Sequence, residues 1–510
     1  MEAEMNANQV TYPQKDRWSY LWLAIATLMG FLWTVPLVMW LSPIFMLRFM
    51  RSQKVWRGFL LAWLTSFVTI AIGFREALPL PIEIFIPTML ITSLVGGALP
   101  LLADRLLVPR LRGFAATLVF PLAVTALDFI GAITNPLGSV GAQGYSQYGN
   151  LALMQLISVT GMWGIVFLVN WLGSVVNWAW ERSFEWKEIR RGALLYVGVM
   201  LLVVSFGSIR LAFAPEPTAT VRIHGLTAVD HRQGWDELQW AKANDWQAFI
   251  EMSAENQDLY FEGTIREARA GAQVVHWPEM AVMISSEQIE AFIEHAKSIA
   301  HEEGIYLAMG VGIDYPDGSQ KWENKLIVID PTGEIVLDHD KYGNYADEGF
   351  KPGDGVLRTF ETPFGVFSGL VCNDTNHQEV VAQAGRNGTQ VLFSPSFEYR
   401  GIDPIHAHMA AYRAVENGIT LVRQADNGLS IVVDPYGRMV ASTDHFIPGE
   451  RVMAAQVPIY ATNFTLYSYA PDLFGWLSII GFAAITIVAV VQGRKAKQAV
   501  VAQPEPQAAS

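Results

Sequence analysis

The 510-residue chain holds one cysteine, Cys372. A lone thiol excludes an intramolecular disulfide, so an oxidising compartment would neither help nor hinder the fold. Basic residues are scarce too, 35 Lys and Arg against 48 Asp and Glu, and the net charge of −13 is no nucleic-acid footprint. Charge of either sign makes up only 16% of the chain. Apolar residues take its place, at 51% with 12% aromatics and a positive mean hydropathy. The first apolar run lacks a small-x-small cleavage site and further runs follow it, which argues against a cleavable signal peptide.

The apolar residues are unevenly spread. Long apolar runs dominate from about 18 to 213, a stretch of soluble character covers 214–470, and one last run spans 472–492. A bilayer crossing takes about 20 apolar residues. Candidate spans are 19–33, 35–49, 57–74, 83–103, 113–133, 151–179, 192–213 and 472–492, the first two short enough for a tight hairpin at Pro36. Basic residues fall on alternate loops: Lys15 and Arg17, then Arg48 to Arg57, Arg105 to Arg112, Arg182 to Arg191, and Arg494 to Lys497. The intervening loops hold almost none, Arg75 excepted. This alternation predicts both termini in the cytoplasm and the 214–470 domain outside, and it requires eight crossings rather than seven. The expected organisation is a membrane domain of seven spans (1–213), an extracytoplasmic domain (214–470), and a last helix with a tail (471–510). The Gly-rich loop 134–150 has no preceding strand and no Lys, so it reads as an external linker or re-entrant segment rather than a phosphate loop. The tail after Lys497 has the composition of a disordered segment.

Within 214–470 short apolar strands alternate with amphipathic helices. Strands are expected at 221–226, 273–277, 305–313, 390–394, 420–424, 429–433 and 438–442, and helices at 235–270, 286–303 and 405–417. A hairpin is expected across Pro331-Thr332-Gly333, and a buried strand runs from Phe364 towards Cys372. The pattern predicts a layered α/β domain with sheet inside and helices outside.

Three segments bring candidate chemistry to strand ends: Glu279 after VVHWPE, Lys341 in LDHDKYG, and Cys372 in GLVCNDTN. Singly, each has an ordinary explanation, a small buried hydrophobe for the thiol and solvated surface charges for the others. Together, a carboxylate, an ammonium and a thiol form a workable acyl-transfer set: nucleophile, proton shuttle and oxyanion partner.

At these residues the chain resembles the nitrilase, or carbon–nitrogen hydrolase, superfamily. The resemblance rests on Trp277-Pro278-Glu279, Lys341, Lys351-Pro352-Gly353-Asp354 and Val371-Cys372-Asn373-Asp374, and covers 219–458. It implies an αββα sandwich with Glu279, Lys341 and Cys372 as a Glu-Lys-Cys triad. The membrane half is similar to the bacterial apolipoprotein N-acyltransferases at Gly144-Tyr145-Ser146-Gln147, Gln155, Ser158, Thr160-Gly161 and Trp163-Gly164. That likeness implies an inner-membrane acyltransferase without cofactor. It would take a fatty acyl chain from a phospholipid as a Cys372 thioester and pass it to the N-terminal amine of a diacylated lipoprotein. Where the family has Tyr and Glu after the nucleophile this chain has Asn373 and Asp374, and Glu348 is the expected counterpart of the family's second glutamate. Trp235, in Gly234-Trp235-Asp236, is expected beside the mouth.

Two rival readings keep the same residues. A membrane-tethered amidase would give the acyl group to water, and a non-catalytic binding domain would have no use for all three reactive side chains. His377, five residues past Cys372, is read as satisfied locally. His406 and His408, at i and i+2 of a helix, point to different faces and predict no metal site.

Overall fold

The structure is a computed structural model describing residues 16–228, 231–316, 318, 320–343, 349–449, 452–461 and 464–501. Among these, five helices are long and apolar enough to cross a bilayer: Val55–Phe74, Ile82–Arg110, Phe114–Thr134, Trp186–Ala212 and Leu473–Ala496. A sixth crossing results if Leu151–Thr160 and Trp163–Trp180, bent by 118°, count as one broken span. The break falls at Gly161, whose φ of +60° suits glycine and whose missing side chain leaves room for the Tyr467 ring. The chain is thus polytopic, with five or six such helices among the described residues against about eight crossings expected. The shortfall lies at the start, where Ser19–Gly30 has 12 residues and Pro36–Ser52 has 17.

Among the described residues, the rest of the chain builds two large sheets and a two-stranded one that pairs Ser396–Phe397 with Ala425–Asp426. The seven-stranded sheet runs in the order Val452–Ile459, Ala219–Leu226, Val274–His276, Tyr306–Asp314, Glu323–Ile329 and Ile335–Asp340, with Val282–Ser285 also paired to Tyr306–Asp314. The six-stranded sheet runs Met439–Asp444, Leu429–Val433, Thr420–Arg423, Val391–Phe393, Gly365–Gly369 and Thr359–Thr362. Alternation sorts their side chains into layers. Val274 joins the core between the sheets with Val391, Phe393 and Val422, whereas Val275 faces the helices Trp246–Arg269 and Ile289–Glu303. On the far side, Leu392, Leu421 and Ile431 pack under Gln378–Arg386 and Ile405–Asn417. Helix, sheet, sheet and helix form the four layers that the resemblance implied.

Ile405–Asn417 joins the two halves. Ala407, Ala410, Ala411 and Ala414 pack on the sheet, while Met409, Tyr412 and Val415 belong to the core of the membrane helices with Met154, Ile157 and Trp163. Small residues on one face and large ones on the other let a single helix serve two cores.

Candidate active site

Gly365–Gly369 ends three residues before Cys372, and a 3₁₀ turn, Cys372–Asn376, begins at the thiol. Cys372 has a φ of +46°, a left-handed conformation that a non-glycine residue holds only when its surroundings over-determine it. Those surroundings are visible. The Cys372 N–H donates to Pro395 O at 2.8 Å, and the Asp374 carboxylate accepts from Val371 N at 3.0 Å, Tyr342 N at 2.9 Å and Gly343 N at 2.7 Å. Asp374 also contacts His339 Nε2 at 3.1 Å. Burial alone would raise its pKa, but His339 and the backbone N–H groups outweigh burial and hold it below the ordinary carboxylate value.

Glu279 and Lys341 meet from strand ends distant in sequence. Lys341 Nζ donates to Glu279 Oε1 at 2.9 Å, and both are buried. Asn324 Nδ2 donates to the same oxygen at 2.8 Å, and Phe397 N to Glu279 Oε2 at 2.9 Å. Gly310 makes this possible, since a Cβ there would overlap the Pro278 carbonyl and displace Glu279.

The cluster found around the thiol is a different one. Donor atoms of Cys372, Glu398 and His406 lie within 4.8 Å of one another, all buried. Glu398 Oε1 bonds His406 Nδ1 at 2.7 Å and accepts from Arg423 Nη2. The cluster is therefore Cys-Glu-His, which corrects the Glu-Lys-Cys triad implied by the resemblance. The physical reason is that Glu279 spends its oxygens on Lys341, Asn324 and Phe397 N, while Glu398 and His406 reach the thiol from the next strand and helix. A thiol, an imidazole and a carboxylate are also a metal-type donor set, but the Arg423 guanidinium on Glu398 places positive charge where a cation would sit. The set suits proton transfer better.

Burial raises the Cys372 pKa well above its ordinary value. The Glu279 and Glu398 carboxylates add to this, and Lys341 and Arg423 oppose it. The resting nucleophile is a thiol and needs a base. Burial would also raise Glu398, but His406 and Arg423 hold it low.

Glu279, Lys341, Cys372, Asn373, Glu398 and His406 all line one cavity of about 550 Å³. Trp235 stands on its wall, stacked on Phe397 with 5.5 Å between ring centroids. Glu348 lies outside the described residues. Leu78, Leu137 and Val140 line this cavity and also a second, of about 270 Å³, set among the membrane helices. His408 turns away from His406 and stacks on Tyr148 at 3.9 Å, and His377 packs edge-on against Tyr342. Sequence reasoning missed Glu398 and His406 as partners of the thiol, because no spacing links either to Cys372.

The carbon–nitrogen hydrolase family model matches residues 225–462. An apolipoprotein N-acyltransferase of Geobacter metallireducens is 24% identical over 478 residues, covering 87% of each chain. One of Brucella melitensis is 26% identical over 347 residues, covering 60% of this chain and 63% of its own. Among solved structures, an amidase from Nesterenkonia sp. aligns with 47% of this chain and 91% of its own, at 23% identity and a TM-score of 0.38.

Proposed function

We infer the activity from the premise that this chain belongs to the apolipoprotein N-acyltransferase family of carbon–nitrogen hydrolases. It moves a fatty acyl chain from a membrane phospholipid, through a thioester on Cys372, to the N-terminal amine of a diacylated lipoprotein. The observation that carries this reading is the shared wall at Leu78, Leu137 and Val140 between the cavity of the only cysteine and a cavity among apolar helices. The site of the thiol thus adjoins a space among the membrane helices that suits a donor's acyl tails, and a hydrolase of soluble amides has no use for such a neighbour.

In the first half-reaction Sγ attacks the ester carbonyl while its proton passes to the Glu398–His406 pair. The C–O bond breaks and the lysophospholipid alkoxide takes that proton. In the second, the acceptor amine attacks the thioester and loses a proton to the same pair, and the thiolate leaves and is reprotonated. Lys341, held by Glu279, supplies positive charge at the cavity wall for the oxyanion of either step. Trp235 and Asn373 shape the mouth and floor of the site, and Asp374 holds the turn.

The first two short helices, Ser19–Gly30 and Pro36–Ser52, complete eight crossings beside the five long helices and the bent pair. The division into 1–213, 214–470 and 471–510 follows, with both termini in the cytoplasm of a bacterial inner membrane and the sandwich outside. The loop charges support this orientation.

Intact mass measurement after incubation with a defined phospholipid tests the chemistry. Wild type gains one fatty-acyl increment, Cys372→Ala gains none, and a diacylated peptide amine discharges it. His406→Asn and Glu398→Gln each slow the gain by about 10²-fold or more. Discharge by water at the rate seen with the peptide would make the protein a hydrolase, and wild-type gain in both variants would remove the pair from proton transfer.

A further inference from the structure

The loop between Phe114–Thr134 and the bent pair grips the catalytic turn. Ser139 N and Ser139 Oγ both donate to the Asn376 carbonyl, each at 3.0 Å, and Asn376 is the last residue of the turn that begins at Cys372. Gly138 precedes it with a φ of +60°, and a Cβ there would overlap the same carbonyl. Ser139 is 1% exposed.

The directions of these bonds follow from what each atom can do. A carbonyl only accepts, so the one hydroxyl hydrogen of Ser139 goes to Asn376. Tyr145 OH, 2.7 Å from Ser139 Oγ, must then donate to it, and Tyr145 in turn accepts from Arg413 Nη2 at 2.9 Å. Beyond the carbonyl, Asn376 Nδ2 has two hydrogens and two partners, Asn373 Oδ1 at 2.5 Å and His406 Nε2 at 3.1 Å. His406 Nδ1 in turn lies 2.7 Å from Glu398 Oε1 and 3.1 Å from Arg423 Nη2. The bonds from Arg413 to Ser139 and from Asn376 to His406 each point towards the site. Leu137 and Val140, on either side of Ser139, are two of the three residues that wall both cavities.

We propose that Ser139 is a positioning residue: by fixing Asn376 it sets Asn373 and His406 at the thiol and locks the wall between the two cavities to the catalytic turn. The membrane half thus acts on the chemistry as well as on donor access. This rests on the thioester reading above, and it assigns a role to a loop that sequence alone reads as a linker.

Ser139→Ala keeps the N–H bond and loses only the hydroxyl, and Ser139→Thr restores it. Single-turnover acylation is measured with a phospholipid in vesicles and with p-nitrophenyl butyrate, whose nitrophenolate burst reports the thiol without any lipid. The expected result is an acylation rate constant lower by about tenfold with both donors in Ser139→Ala, with KM within error of wild type whatever the melting temperature, and recovery in Ser139→Thr. A lowered melting temperature with a normal burst would make Ser139 merely structural, and a normal rate with both donors would overturn the proposal. If wild type reacts with the butyrate ester but never with phospholipid, the donor reading fails while the Ser139 comparison still stands.

Discussion

Asp374 is fully buried and does not line the cavity, yet it ties together the segments that do. Its carboxylate joins the backbone after Lys341, through Tyr342 and Gly343, to the backbone before Cys372, through Val371. Asp374→Asn removes the charge and offers an amide where N–H groups now converge. The expected cost is about 3 kcal/mol of stability, with acylation slowed as the Cys372 turn loosens. Because the folded pKa lies below the ordinary carboxylate value, this stabilisation is complete above about pH 4 and is lost as pH falls further. Thermal unfolding in detergent should therefore show a constant gap between wild type and variant from pH 6 to 8, closing only below pH 4. Equal melting temperatures at pH 7 would mean that His339 and the backbone hold the turn unaided. At this scale the sequence was legible where reactive residues end strands, as at Glu279, Lys341 and Cys372. It was silent on Glu398 and His406, which only folding brings to the thiol.

Among the elements, the strong periodic segments were readable. Ile405–Asn417 matches its expected bounds, and the hairpin across Pro331-Thr332-Gly333 pairs as expected. The long helix expected over 235–270 is instead two, His231–Asn244 and Trp246–Arg269. Asp245 breaks it, its side chain accepting from Ala248 N at 3.1 Å as an N-cap, so local capping outweighed the continuous amphipathic pattern. Strands Val282–Ser285, Thr359–Thr362 and Val452–Ile459 were missed, being short or diluted by alanine and proline. Pairing of the two sheets also carries a pH dependence. His276 lies between them, 5.1 Å from the Phe393 ring centroid and fully buried, and burial pushes its pKa down to about 3, only partly opposed by Ala308 O. The unfolded chain binds a proton near pH 6.5 that the folded one refuses, so stability falls as pH drops from about 6.5 towards 3. His276→Gln has no such proton, and its melting temperature should fall less than that of wild type between pH 7 and 5. Parallel slopes would place the acid sensitivity elsewhere.

For the whole molecule, the division into apolar helices and a layered sandwich was plain from hydropathy alone. The way the halves lock together was not, because the contacts of Ser139, Tyr145 and Ile405–Asn417 have no signature in one dimension. The chain offers a clean way to measure its orientation in the membrane. Cys372→Ala leaves no cysteine, so any single introduced thiol reports its own side of the membrane. Glu334 lies exposed on the sandwich, Lys187 is exposed at the start of Trp186–Ala212, and Arg494 is exposed near the end of the last helix. In intact spheroplasts a membrane-impermeant maleimide should label Glu334→Cys, and should reach Lys187→Cys and Arg494→Cys only after permeabilisation. This pattern requires the loop after the bent pair and the chain's end to share the cytoplasmic side, and so an even number of crossings in all once the N-terminus is placed there too. Labelling of Arg494→Cys in intact spheroplasts, with Glu334→Cys also labelled, would mean that Leu473–Val501 does not cross. The thiol would then have to draw its donor from a sandwich anchored by the preceding helices alone.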